Sequence, residues 1–137
     1  MTTLYPVDIA NANRLWGAAQ PFIEAAIAHQ DLITYNVHHV QHYVTSGQWL
    51  LILGVRDQKV VGAATVSFVN YPLHRVAVVT ALGGRGVVGK DTLAQLRDIC
   101  KTYGATAIQS QARGSAARLY RRAGLSVGTV SVSCAVE

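Results

Sequence analysis

Residues 112–125 read Ala-Arg-Gly-Ser-Ala-Ala-Arg-Leu-Tyr-Arg-Arg-Ala-Gly-Leu and concentrate side chains able to do chemistry. Small residues such as Ala116 at the start of a helix let a ligand approach the backbone, and a helix N-terminus attracts negative charge. Tyr120, about a turn and a half further on, can turn its hydroxyl back toward that ligand. Arg113, Arg118, Arg121 and Arg122 supply four of the chain's twelve basic side chains. Gly124 stands where such a helix would end.

A second cluster lies at 76–100, where an apolar run leads into Gly83-Gly84-Arg85-Gly86-Val87-Val88-Gly89 and then an amphipathic stretch. Glycines leave main-chain N–H groups unshielded, Arg85 and Lys90 add positive charge, and the following helix adds the positive end of its dipole. A pyrophosphate would suit this place, and an ordinary turn is the other reading. No Gly-Lys-Ser/Thr is present, so the Walker loop does not apply.

His38 and His42 stand four residues apart and would share one face of a helix. They are read as surface histidines, as substrate-side groups able to act as a base near neutral pH, or as metal ligands; with no neighbouring cysteine or carboxylate, the zinc case is weak. Glu24, the one glutamate besides Glu137, could face an acceptor pocket or solvent. Tyr35, Tyr43, Tyr71, Trp16 and Trp49 could line a groove or fill the core. Arg118, Arg121 and Arg122 could meet a phosphate, but nothing in that helix resembles a DNA-reading motif, which argues against nucleic acid.

Elements must position these groups. Residues 3–9 read as an edge strand. From Asn11, the recurrence of Leu15, Trp16, Ala19, Phe22, Ile23, Ala26 and Ile27 is helical. Pro21 inside that run predicts a kink or two helices meeting there. Val37, Val40 and Val44 predict a second short helix ending near Ser46-Gly47. Strands are expected at 49–55 and 60–69, joined by a tight turn at 56–59, and at 74–82, apolar on both faces as in a central strand. A helix through Leu93, Leu96, Ile99 and Cys100 follows, then a strand at 105–111, the arginine-rich helix at 115–123 and a last strand at 127–136. The order predicts an α/β or α+β layer around a mixed sheet.

Composition sets the bounds. A chain of 137 residues, 50% hydrophobic and 14% charged, suits a single domain, 1–137, with its own core. Residues 1–70 carry three basic and four acidic side chains, residues 71–137 nine and three, so the net charge of +5 sits in the second half and suggests a localised anionic partner. Cys100 and Cys134 lie far apart without CxxC spacing, as in reduced thiols, and no signal-like start or membrane-length apolar run is seen, so a cytoplasmic protein is expected.

Ala116, Leu119, Tyr120 and Gly124 reproduce A-x-x-L-Y-x-x-x-G, which resembles the fourth-helix signature of the GCN5-related N-acetyltransferase (GNAT) superfamily. The strand, glycine loop and helix at 76–100 fall where that family keeps its acyl-CoA pyrophosphate loop, and the resemblance covers nearly the whole chain. It implies a mixed, mostly antiparallel twisted sheet with helices on both faces. It further implies that Gly84, Arg85, Gly86, Val87, Val88 and Gly89 cradle the pyrophosphate of acetyl-CoA. Ala81 and Leu82 would align the pantetheine arm by main-chain bonds, with Arg113 and Ala116 at the start of the fourth helix. Tyr120 would protonate the leaving thiolate, and the acceptor would be an amine, with His38, His42 and Glu24 on its side.

Three positions depart from the family pattern. The loop lacks a clean Gln/Arg-x-x-Gly-x-Gly/Ala, Arg113 replaces an asparagine, and residues 74–82 carry no Asp or Glu to serve as base. Short runs such as Ser-Gly-Gln-Trp-Leu, Lys-Val-Val-Gly-Ala and Arg113-Gly114 are similar to GNAT-like proteins encoded by bacteriophages. That similarity implies a host or virion protein as an alternative partner. The serine–valine alternation of the last strand permits a dimer edge.

Overall fold

The computed structural model describes residues 1–29, 34–87 and 89–110, with the single positions 121, 126, 128, 134 and 136. Along the chain run β1 (Thr3–Val7), α1 (Ile9–Ala28), α2 (Val37–Thr45), β2 (Leu50–Arg56), β3 (Lys59–Asn70), β4 (Arg75–Gly84), α3 (Lys90–Thr102) and β5 (Ala107–Ser110). The sheet order is β1-β2-β3-β4-β5, antiparallel up to β4 and parallel between β4 and β5. The helix expected at 115–123 and the strand expected at 127–136 lie outside the described residues.

The sheet divides two cores because its strands alternate. Leu51 and Leu53 of β2 pack with Trp16, Ala19 and Ile23 of α1 and Val40 and Val44 of α2. Leu50 and Ile52 point the other way and join Ala64, Val66, Val79 and Cys100, with Leu96 and Ile99 of α3 against them. A strand covered on both faces needs apolar residues at every position, which is why β2 reads Leu-Leu-Ile-Leu. Asp57 and Gln58, with φ of 50° and 64°, turn the chain between β2 and β3 in two residues; positive φ at both positions matches the right-handed twist of the flanking strands.

α2 begins at a reciprocal cap. The Asn36 side chain accepts from the His38 and His39 N–H groups at 2.9 and 3.0 Å, and the Asn36 N–H donates to His39 Nδ1 at 3.0 Å. α3 is tied to the edge strand through Gln95, whose Oε1 accepts from Leu4 N–H at 2.7 Å while its Nε2 donates to the Thr2 carbonyl at 2.9 Å. At the other end of α3, Arg75 lies 4.7 Å over the Phe68 ring and donates from Nε to the Tyr103 carbonyl at 3.0 Å.

Two expectations change. Pro21 does not divide its segment: α1 is one helix of 20 residues with the proline inside it. Pro21 and Gly17, four residues earlier, are both exposed, so the carbonyl that the proline cannot serve faces water. The glycine run is also divided. Gly83 and Gly84 belong to β4, opposite Ala63 and Gly62, and only Gly86 and Gly89 lie in the turn that follows. Gly83 is small because the Phe22 carbonyl of α1 rests directly on it.

Candidate acyl-donor site on the fourth strand

The ladder between β3 and β4 slips by one residue: Thr65 pairs with Ala81, but Val66 pairs with Val79. Thr80 is therefore an extra residue, a β-bulge in the strand at the centre of the site. A bulge breaks the even spacing of main-chain groups and re-aims those beside it. It also changes the phase of the side chains, so that Val79 and Leu82 both lie on the α3 side of the sheet.

Polar groups on the α1–α2 side fix the bulge. The Thr80 hydroxyl donates to the Thr65 carbonyl at 3.0 Å, and the Thr65 and Thr80 hydroxyls lie 2.7 Å apart. Thr65 is fully buried, so its hydroxyl needs such a partner. The Tyr35 hydroxyl donates to the Thr80 carbonyl at 2.6 Å. Tyr35 in turn meets Trp49 edge-on at 5.4 Å, and Trp49 stacks on Tyr43 at 4.6 Å. These three aromatics make a wall beside the bulge. Trp16 is buried in the core and Tyr71 is exposed between β3 and β4, so neither joins it.

Among the described residues the parallel pairing of β4 with β5 runs from Val76 and Ala107 to Val79 and Ser110, one residue before the bulge. β4 runs on to Gly84, and from Ala81 that edge has no paired strand among the described residues. Ala81 is buried and Leu82 half-buried, so what this stretch offers to an extended ligand is its main chain.

The turn from β4 into α3 supplies positive charge. Gly86 has φ +72° and lies under the Arg56 guanidinium, which donates to the Thr2 hydroxyl at 3.1 Å. Gly89 is the N-cap of α3 and brings no capping side chain, which leaves first-turn N–H groups of the helix without that acceptor. A cavity of about 210 Å³ here is bordered by Arg56, Gly86, Gly89, Lys90 and Asp91. Arg85 is exposed. Val87 instead turns into the core, where its methyl group meets Gly54 and Gly62.

Of the residues singled out from sequence, Ala81, Leu82, Gly84, Arg85, Gly86, Val87 and Gly89 thus follow one another from the bulge to α3. Val88, Arg113, Ala116 and Tyr120 lie outside the described residues. Glu24, His38 and His42 are exposed on α1 and α2. The described residues hold no group of three or more His, Cys, Asp or Glu side chains placed to bind a metal. None of their helices is long and apolar enough to cross a membrane.

Sequence reading missed Thr80, Tyr35 as its partner, and Arg56. The run Arg-Val-Ala-Val-Val-Thr-Ala-Leu is apolar on both faces, so a one-residue slip leaves no polar trace in it. Arg56 reads as a turn residue and reaches the start of α3 only through the sheet.

Known structures share this architecture. An aminoglycoside acetyltransferase from an uncultured soil metagenomic sample, in complex with sisomicin, superposes with a TM-score of 0.72 at 13% identity over 99% of this chain and 97% of that one. A ribosomal-protein-alanine N-acetyltransferase from Brucella melitensis gives 0.67 at 14% identity over 100% of both chains. A predicted acetyltransferase from Clostridium acetobutylicum, with acetyl-CoA, gives 0.63 at 14% over 98% and 96%. No protein-family model matches the sequence, and no curated protein matches it. At these identities the likeness establishes the fold: the chain adopts the GNAT fold of these acetyltransferases.

Proposed function

We propose that the chain is an acyl-CoA-dependent N-acetyltransferase that moves an acetyl group from acetyl-CoA to an amine. The observation that carries this reading is the Thr80 bulge in β4, held by Tyr35 and Thr65. The main chain of β4 from Ala81 to Gly84, which has no partner on its β5 side among the described residues, fits a pantetheine arm, and the uncapped start of α3 with Arg56, Arg85 and Lys90 fits phosphates. Acetyl-CoA, when bound, supplies a thioester carbon open to attack.

The chain's own residues would do the rest. Main-chain groups of Ala81 and Leu82 hold the arm. Gly84, Arg85, Gly86, Val87, Val88 and Gly89 take the pyrophosphate, and Arg113 and Ala116 complete the cofactor's side. The Tyr35–Trp49–Tyr43 wall positions the acceptor, and His38, His42 or a water removes its proton, with Glu24 at the rim. Tyr120 donates a proton to the departing sulfur; a phenol with pKa near 10 can do so. In balance, an N–C bond forms, the C–S bond breaks, one proton leaves the amine and one arrives on sulfur.

The described β4 contains no Asp or Glu, and this favours a second reading: a GNAT scaffold, phage-encoded as the short motifs imply, that binds a protein partner without turnover. Calorimetric titration with acetyl-CoA, followed by turnover on a panel of amines, separates the two. Micromolar binding with turnover that Tyr120→Phe lowers at least tenfold is the expected result. Binding without turnover on any amine favours the scaffold reading in a ligand-dependent form, and no binding at millimolar acetyl-CoA overturns the acetyltransferase reading.

A further inference from the structure

Behind the bulge, on the α3 side of the sheet, lies a second cavity of about 40 Å³. Ala63 and Ala64 form its floor and Leu93 and Leu96 its roof, while Val79 and Leu82, the two residues that flank the bulge on this face, stand at its β4 end. Almost no polar atom lines it. The two faces of the sheet therefore differ at this one point: hydroxyls of Tyr35, Thr65 and Thr80 on the α1–α2 side, an apolar void on the other.

We infer that this cavity receives the tail of the transferred acyl group, so that the donor is a short-chain acyl-CoA, propionyl to butyryl, as well as acetyl-CoA. The inference rests on the acyltransferase reading and specifies its donor. Three observations carry it. The void adjoins the bulge, where the acyl carbon would sit. Its lining suits methylenes and offers a water almost no hydrogen-bond partner. Its size, about 40 Å³, leaves room for a short tail and not for a long one. An unfilled apolar void costs stability, and the side chain at Ala64 stops at one carbon where a larger one would fill it.

The test is calorimetric titration of the full chain with CoA, acetyl-, propionyl-, butyryl- and octanoyl-CoA. Affinity should rise roughly fourfold for each methylene up to butyryl, the ratio that corresponds to about 0.8 kcal/mol per buried CH₂. Octanoyl-CoA should bind no more tightly than butyryl-CoA. Ala64→Val, checked for folding by its melt, should bring the butyryl-to-acetyl ratio close to one. Leu96→Ala should move the preferred chain length upward. If CoA and acetyl-CoA bind but propionyl- and butyryl-CoA bind no better, the inference fails while the acyl-CoA reading stands. A steady rise through octanoyl overturns the size limit and the inference with it. If none of the five binds, the acyl-CoA reading fails first.

Discussion

Tyr35 does more than its hydropathy suggests. Its ring is packed against Trp49 while its hydroxyl reaches the Thr80 carbonyl, so one side chain ties the aromatic wall to the bulge. Tyr35→Phe keeps the ring and removes the donor. It should cost about 1 kcal/mol in a denaturant melt and weaken acetyl-CoA binding, whereas a purely structural hydroxyl would move the melt alone. Cys100 shows the opposite kind of environment. Burial pushes its thiol up from 9.0 to about 11. Unfolded, the thiol ionises near 9.0, so between the two values the unfolded state holds fewer protons and stability should fall as pH climbs from 9 toward 11. At pH 8 a thiol reagent should modify the exposed Cys134 in the folded protein and reach Cys100 only on unfolding.

At the level of elements, the contact between α1 and β4 is close enough for the backbone to set its terms. A methyl group at Gly83 would meet the Phe22 carbonyl, and a main-chain atom cannot swing aside as the tip of a side chain can. Gly83→Ala should therefore destabilise the protein by about 3 kcal/mol, seen as a lower midpoint in urea, and should loosen the strand that bears the bulge. Elements with a strong period were legible in the sequence. α3 showed its stripe of Leu93, Leu96, Ile99 and Cys100, and the β2–β3 hairpin showed two apolar runs around Asp57-Gln58. What stayed hidden was set by tertiary contact. Nothing local says that Gly83 and Gly84 extend a strand, because the reason is a helix packed from elsewhere. Pro21 suggested a break, and only the exposure of the freed carbonyl explains why one helix persists.

On the scale of the molecule, the sheet acts as a partition. The acceptor-side aromatics lie with α1 and α2, the apolar void lies with α3, and the cationic turn stands at the start of α3. The fold was readable from the periods of its elements, and the glycine loop and basic second half pointed to a candidate donor side. Tyr35, Tyr43 and Trp49 could be read from sequence only as groove or core, because they become neighbours only when the α2 region closes onto the sheet. Charge offers a test at this scale. Arg56→Ala should weaken acetyl-CoA binding about fivefold and flatten its dependence on salt. Arg14→Ala, on the exposed side of α1, should change neither. Equal effects of the two would mean that overall charge, rather than the turn, attracts the ligand.

The sheet's order also bears on how the protein is assembled. β2, β3 and β4 are neighbours in sequence as well as in space, so their hairpins close short loops and can form early. The parallel β4–β5 pair must wait for the crossover through α3. The β4–β5 seam, like the β1–β2 seam across α1 and α2, therefore forms after the hairpins. Amide hydrogens of β5 should exchange with deuterium well before those of β2 and β3. A ligand wedged at that seam would slow exchange in β5 more than anywhere else, which gives the donor site a signature that can be read without turnover.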